Sequence, residues 1–179
     1  MHFLFVVLGI CLGVSGWQLA VWLNETRDKN QKYKAACACA REKNKPLLIA
    51  GGPWGTKPAR HWFNMPAHGN GDVCLDIDYR AIKGHPCGLI ATVTHIPFSD
   101  KSFGAAFASH LLEHLPTVAE AREALDELNR VADAVFIVSP SRQAFGGWLT
   151  LGHHLWVWQK GDIIYLKQRG KSEDKVKEE

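Results

Sequence analysis

The sequence predicts an α/β domain with a mostly parallel sheet and a closing antiparallel C-terminal hairpin, preceded by one transmembrane helix. Three observations carry this reading. Residues 3–23 hold no charged side chain, and Gln18 is their only strongly polar one. From residue 46 onward, short apolar runs recur between glycine turns and polar segments. One long stretch, 117–132, places Val118, Ala121, Leu125, Leu128 and Val131 on a single helical face.

The N-terminal segment has the length that the hydrocarbon core demands, roughly 20 apolar residues. Trp17 and Trp22 fall toward its C-terminal end, where indole rings favour headgroups. A cleaved signal peptide is the second reading, with Val14-Ser15-Gly16 as its small-residue site, but a basic n-region is missing. Beyond the span, Arg27, Lys29, Lys32, Lys34, Arg41 and Lys43 outnumber the nearby acids. The positive-inside rule therefore predicts a single-pass membrane protein with its domain on the cytoplasmic side. Alanines at 35, 36, 38 and 40 predict that residues 24–45 form a basic helical stalk or linker.

The domain follows over 46–169, ahead of a charged tail, 170–179, that is expected to be disordered. Leu47-Leu48-Ile49-Ala50 reads as a buried strand running into Gly51-Gly52. Further strands are predicted over 73–78, 88–93, 103–108 and 134–138. Thr117 caps the amphipathic helix, with Glu120 at the reciprocal capping position. Residues 154–158 and 163–166, around Lys160-Gly161-Asp162, read as the antiparallel pair.

Composition excludes some functions. The formal net charge is only +3, without a dense Lys/Arg stripe, so no nucleic acid is expected as a partner. Five cysteines without framework spacing predict reduced thiols. No metal is expected either. Cys37-Ala38-Cys39 has the wrong spacer, and His153-His154 lacks a third ligand at zinc spacing.

Three segments in order carry a family resemblance. Thr94-His95-Ile96-Pro97-Phe98-Ser99-Asp100-Lys101-Ser102-Phe103, then Ser109-His110-Leu111-Leu112-Glu113-His114-Leu115, then Glu127-Leu128-Asn129-Arg130-Val131 resemble small, type 11-like class I S-adenosylmethionine-dependent methyltransferases. The resemblance implies a Rossmann-like sheet, S-adenosylmethionine as cofactor and a methyl acceptor of unknown identity. It implies cofactor-binding roles for Gly51, Gly52, Gly55, Asp76, His95 and Ile96, with Asp78 as second choice for the ribose. It places His110 as the base on the substrate side, and makes Glu113-His114 a family pair with a hydrogen-bonding role. Phe145, Trp148, Trp156 and Trp158 read as core and edge packing or as a hydrophobic substrate wall; in the second case a lipid-like acceptor would suit an anchor through residues 3–23.

The chain also departs from that pattern. Ile49 and Thr92 stand where acids are usual, Pro53 replaces the middle glycine of the turn, and Gly104 replaces an acid after Ser102-Phe103. The 79–87 connection is too short for a full helix. Two readings follow: a membrane-anchored methyltransferase, or a catalytically inactive methyltransferase-like module held at the membrane for binding or assembly. A short-chain dehydrogenase is excluded because no G-x-G-x-x-G turn occurs and Tyr165 has no lysine four positions on.

Overall fold

A computed structural model describes residues 2–53, 68–161 and 163–170. Gly55 and the tail 171–179 lie outside the described residues. Five strands, β1 (Leu47–Ala50), β2 (Val73–Asp76), β3 (Gly88–Ile90), β4 (Ala105–Ser109) and β5 (Val135–Val138), form one sheet in the order β3-β2-β1-β4-β5. Every pairing in it is parallel. The fold is the Rossmann-like arrangement expected, because strands buried on both faces need apolar side chains throughout. β4 reads Ala-Ala-Phe-Ala-Ser, all buried. β1 matches its predicted run, whereas β2, β3, β4 and β5 are shorter than the runs that predict them. Phe103, expected as the start of the fourth strand, makes only an isolated bridge to Ala132.

One face of the sheet is covered by α3 (Val118–Val131), capped by the Thr117 side chain on Glu120 N. Ala121, Ala124, Leu128 and Val131 of this helix are buried with Leu48, Leu75, Ala106 and Ala108. The short link after β2 holds the one-turn α2 (Tyr79–Ile82), as its length requires. The C-terminal strands β6 (Leu155–Lys160) and β7 (Ile163–Gln168) pair antiparallel as a separate sheet, preceded by α4 (Phe145–Leu149).

The other face is covered by α1 (His2–Glu42), a single helix of 41 residues. Its apolar half is long and hydrophobic enough to cross a membrane, a test that a signal sequence also passes. Its basic half, expected as a stalk or linker, lies on the sheet. Ala36 and Ala40 are buried with Leu47, Ile49, Ala105 and Phe107. Tyr33 packs edge-on to Phe107 at 5.5 Å and donates its hydroxyl to Asn70 O at 2.6 Å. A Cβ on Gly104 would stand 2.8 Å from Ala40 Cα, so an acid at position 104 has no room while the helix lies here. Ile49 likewise belongs to the apolar layer under the helix. Two departures from the family pattern therefore share one cause, the close approach of α1.

The helix runs against the strands. Ala40 meets Gly104 at the start of β4, Lys32 Nζ donates to Ile137 O within β5, and Glu25 accepts from Ser141 N beyond the end of β5. The apolar half thus leaves the domain at the carboxyl edge of the sheet.

Behind that edge, Arg130 closes the 94–103 segment onto α3. It donates to the carbonyls of Ile96 (2.9 Å) and Phe98 (2.8 Å) and to Asp100 and Glu127. These bonds hold the Glu127 carboxyl down at about 2, from an ordinary 4.5. A depressed folded-state pKa stabilises the fold fully above the unfolded value and loses that contribution as pH falls through the folded one. Melting temperature should therefore decline between about pH 4.5 and 2 in the wild type, and an Arg130→Met chain should show a smaller decline over that window. Equal slopes in the two proteins would refute the assignment.

Candidate functional site

In open parallel sheets, ligands bind beyond the carboxyl ends of the strands, where strand order reverses. Here that point lies between β1 and β4, with Gly51 and Gly52 after β1, His110 after β4 and Asp76 at the end of the neighbouring β2. Gly51 and Gly52 leave β1 with φ of 103° and 64°, a left-handed path that glycine takes without strain. Their amides donate to Leu75 O at 3.0 and 3.2 Å, which folds the turn against the end of β2. A Cβ on Gly52 would lie 2.7 Å from Ala81 O, so this residue is fixed by its packing on α2. One on Gly51 would meet only ordinary contacts with Ser109 and Leu111, at 3.6–3.7 Å.

Asp76 ends β2 half-buried, and its Oδ1 accepts from Asp78 N at 2.7 Å. Burial raises its carboxyl pKa, and the amide bond from Asp78 offsets this only in part. Asp78, the second choice, is engaged locally: it caps α2 and pairs with Arg80 at 2.7 Å. Of the two acids, Asp76 is thus the one that faces a desolvation cost, which a ligand's hydroxyls would offset.

On the side expected for the adenine, the residues bond within the domain. His95 is exposed, with Nδ1 3.3 Å from Thr94 Oγ1. Ile96 is buried in the core at 3% exposure, and its amide donates to Glu127 Oε2 at 2.8 Å. Both its side chain and its N–H are therefore committed within the domain. Thr92, in the place of the usual acid, shares a 2.9 Å hydrogen bond with Thr94. Pro53 is buried beside the turn.

His110 follows β4 with φ of 54°, a left-handed conformation that costs a residue other than glycine roughly 1–2 kcal/mol. Its amide donates to Val138 O at 2.8 Å, so the strained turn is held by β5. The side chain lines a cleft of about 340 Å³ with Asn24, Glu25, Ser139 and Ser141. No motif marks Asn24 or Glu25 as site residues; the direction of α1 puts them there.

Next to His110 stands Glu113, 1% exposed in the short 3-10 turn Leu112–His114. Neither of its carboxylate oxygens has a hydrogen-bond partner among the described residues. His110 Nδ1 lies 3.4 Å from Oε1, within ion-pair reach but without hydrogen-bond geometry. His114 and His153 stack edge to face at 4.7 Å. Ligating atoms of Glu113, His114 and His153 lie within 4.8 Å of one another. The expectation of no metal ligands rests on local spacing, whereas the fold supplies the third group from the loop before β6. Burial lowers the His153 pKa, with the Glu113 charge acting in the opposite direction. His154, its neighbour, is exposed and donates its amide to Glu113 O at 2.7 Å.

The aromatic cluster divides. Trp156 is buried, under the Arg169 guanidinium and 4.6 Å from Trp148. Trp158 stacks on Tyr165 at 5.3 Å. Phe145 packs against Trp17 of α1, and Gln18 bonds to the backbone at 143 and 145.

Residues 63–134 match the family model of a methyltransferase domain. The match takes in Asp76, His95, Ile96, His110, Glu113 and His114, and stops short of Gly51, Gly52 and His153. A search of curated proteins found no match to the chain.

Proposed function

We propose, from the methyltransferase-domain match across residues 63–134, that this chain is a membrane-anchored, S-adenosylmethionine-dependent methyltransferase acting on an acceptor at the bilayer surface. The observation that carries the reading is the meeting of Gly51, Gly52, Asp76 and His110 at one sheet edge. In it, Gly51 and Gly52 give the methionine end of the cofactor a close backbone approach, and Asp76 takes the ribose hydroxyls. S-adenosylmethionine supplies a methyl group on a sulfonium. His110 would accept the proton that the acceptor loses when its heteroatom takes the methyl group, the methyl–sulfur bond breaking to leave S-adenosylhomocysteine. The 340 Å³ cleft beside His110 orients that acceptor.

The acceptor class follows from the direction of α1. The apolar half exits at the carboxyl edge, where His110 shares its cleft with Asn24 and Glu25. Phe145, Trp148, Leu149 and Leu151 project from the same side, with Leu149 and Leu151 78% and 99% exposed. An apolar patch next to a membrane span, level with Trp17, suits the headgroup region. The catalytic edge then faces the membrane, and a lipid-like acceptor reaches it from there. The basic excess after the span supports an orientation with the domain on the cytoplasmic side.

The committed amide of Ile96 and the Thr92 hydroxyl favour the second reading, a non-catalytic binding module. Calorimetric titration of the full chain in detergent with S-adenosylmethionine separates the two. Binding that Asp76→Asn abolishes is the expected result; no heat at millimolar ligand would overturn the enzyme reading. The same substitution carries a second signature. A raised carboxyl pKa destabilises the fold as pH rises through it, so the ligand-free Asp76→Asn chain should melt above wild type at pH 7.

A further inference from the structure

We infer that Glu113, His114 and His153 form a binding site for a divalent transition-metal ion of the zinc type. Their ligating atoms already stand within 4.8 Å of one another. The second, independent observation is the Glu113 carboxylate, 1% exposed with neither oxygen hydrogen-bonded among the described residues and only His110 Nδ1 within ion-pair reach, at 3.4 Å. A buried carboxylate without compensation is costly, and a bound cation is the partner that offsets it.

The imidazoles are prepared for that role. His114 Nδ1 lies 2.9 Å from Gly152 O, and His153 Nδ1 lies 3.2 Å from Gly147 O. A carbonyl only accepts, so each Nδ1 carries the proton and each Nε2 keeps its lone pair for a metal. Backbone carbonyls on the far nitrogen are the usual outer support of ligating histidines. Arg169 braces this loop through the carbonyls of Gly147, Thr150 and His153.

Two imidazoles and one carboxylate match the donor set of zinc sites with three protein ligands, whereas Mg²⁺ and Ca²⁺ favour oxygen alone. Zinc bonds of roughly 2.0–2.2 Å require the three groups to close inward by about 1 Å. The fourth position is left to solvent, to a substrate atom or to His110. The site stands whether or not the chain transfers methyl groups.

The test uses the full chain in detergent, stripped by chelator, titrated with Zn²⁺ and with Co²⁺ for its visible bands. Uptake of one ion per chain with a raised melting temperature is expected, and Mg²⁺ should give neither. Glu113→Gln removes the carboxylate ligand, so its melting temperature should gain nothing from Zn²⁺. His153→Gln should bind at least about 10–100-fold more weakly, the loss that even an outer-shell partner entails. His154→Gln should bind as wild type. Circular dichroism verifies the fold of each variant, and Glu113→Gln decides the matter if His153→Gln does not fold. No Zn²⁺ uptake by wild type, or undiminished uptake by Glu113→Gln, would overturn the site. Uptake of Mg²⁺ in preference to Zn²⁺ would overturn the assignment of the ion.

Discussion

A chain shortened to begin at Lys43 is expected to unfold at a markedly lower urea concentration than one beginning at Asn24. The first loses Tyr33, Ala36 and Ala40, which cover Leu47, Ile49, Ala105 and Phe107. Fully burying a Leu, Ile or Phe side chain contributes roughly 1.5–3 kcal/mol each. Uncovering even half of three such residues therefore removes about 2–5 kcal/mol, against a total stability of roughly 5–15 kcal/mol. Gly104 and Asn70 also lose the helix as a partner. Urea titration followed by circular dichroism gives the comparison. A Lys43 fragment with the same midpoint as the Asn24 fragment would show that the helix is dispensable to the sheet.

The second large effect falls on two adjacent glycines that should respond differently. Gly52→Ala puts a side chain at φ 64° and drives its Cβ to 2.7–2.8 Å from Ala81. Backbone strain of about 1–3 kcal/mol and overpacking of about 1–3 kcal/mol then act together. Gly51→Ala incurs the strain alone, because its neighbours stand at ordinary contact distance. The expected order in thermal melts is wild type, then Gly51→Ala, then Gly52→Ala. Gly51→Ala should remain folded while its Cβ intrudes on the proposed cofactor turn and weakens S-adenosylmethionine binding. If the two variants melt together, the contact of Gly52 with α2 is not the constraint described.

Much of the sheet is legible from the sequence, because strands buried on both faces must be apolar along their length, as 47–50 and 105–108 are. Helix α3 is legible for a separate reason: its cap and its apolar spacing agree. The second role of α1 is not legible. Beyond Tyr33, its sheet-facing contacts come from Ala36, Ala40 and half-buried Cys37 and Cys39, small residues that give no strong apolar stripe. The short α4 contains Gly146 and Gly147 and is below the length at which periodicity can register. At the site, Asp76 and His110 stand out because they follow strands. The histidine–carboxylate cluster does not, since His153 reaches it from a loop distant in sequence. Arg130 belongs to a recognisable segment, but its work is done on carbonyls near residue 96 that no local pattern connects to it.

The continuity of α1 also sets an order of events during synthesis. The helix emerges from the ribosome before any strand, and its first half can enter the bilayer at once. The face carrying Ala36 and Ala40 has to wait for Gly104 and Ala105, about 60 residues later. For that interval the nascent chain carries a helix whose sheet-facing side is uncovered. Pairing of β4 with β1 is then the event that covers that side and docks α1 on the sheet.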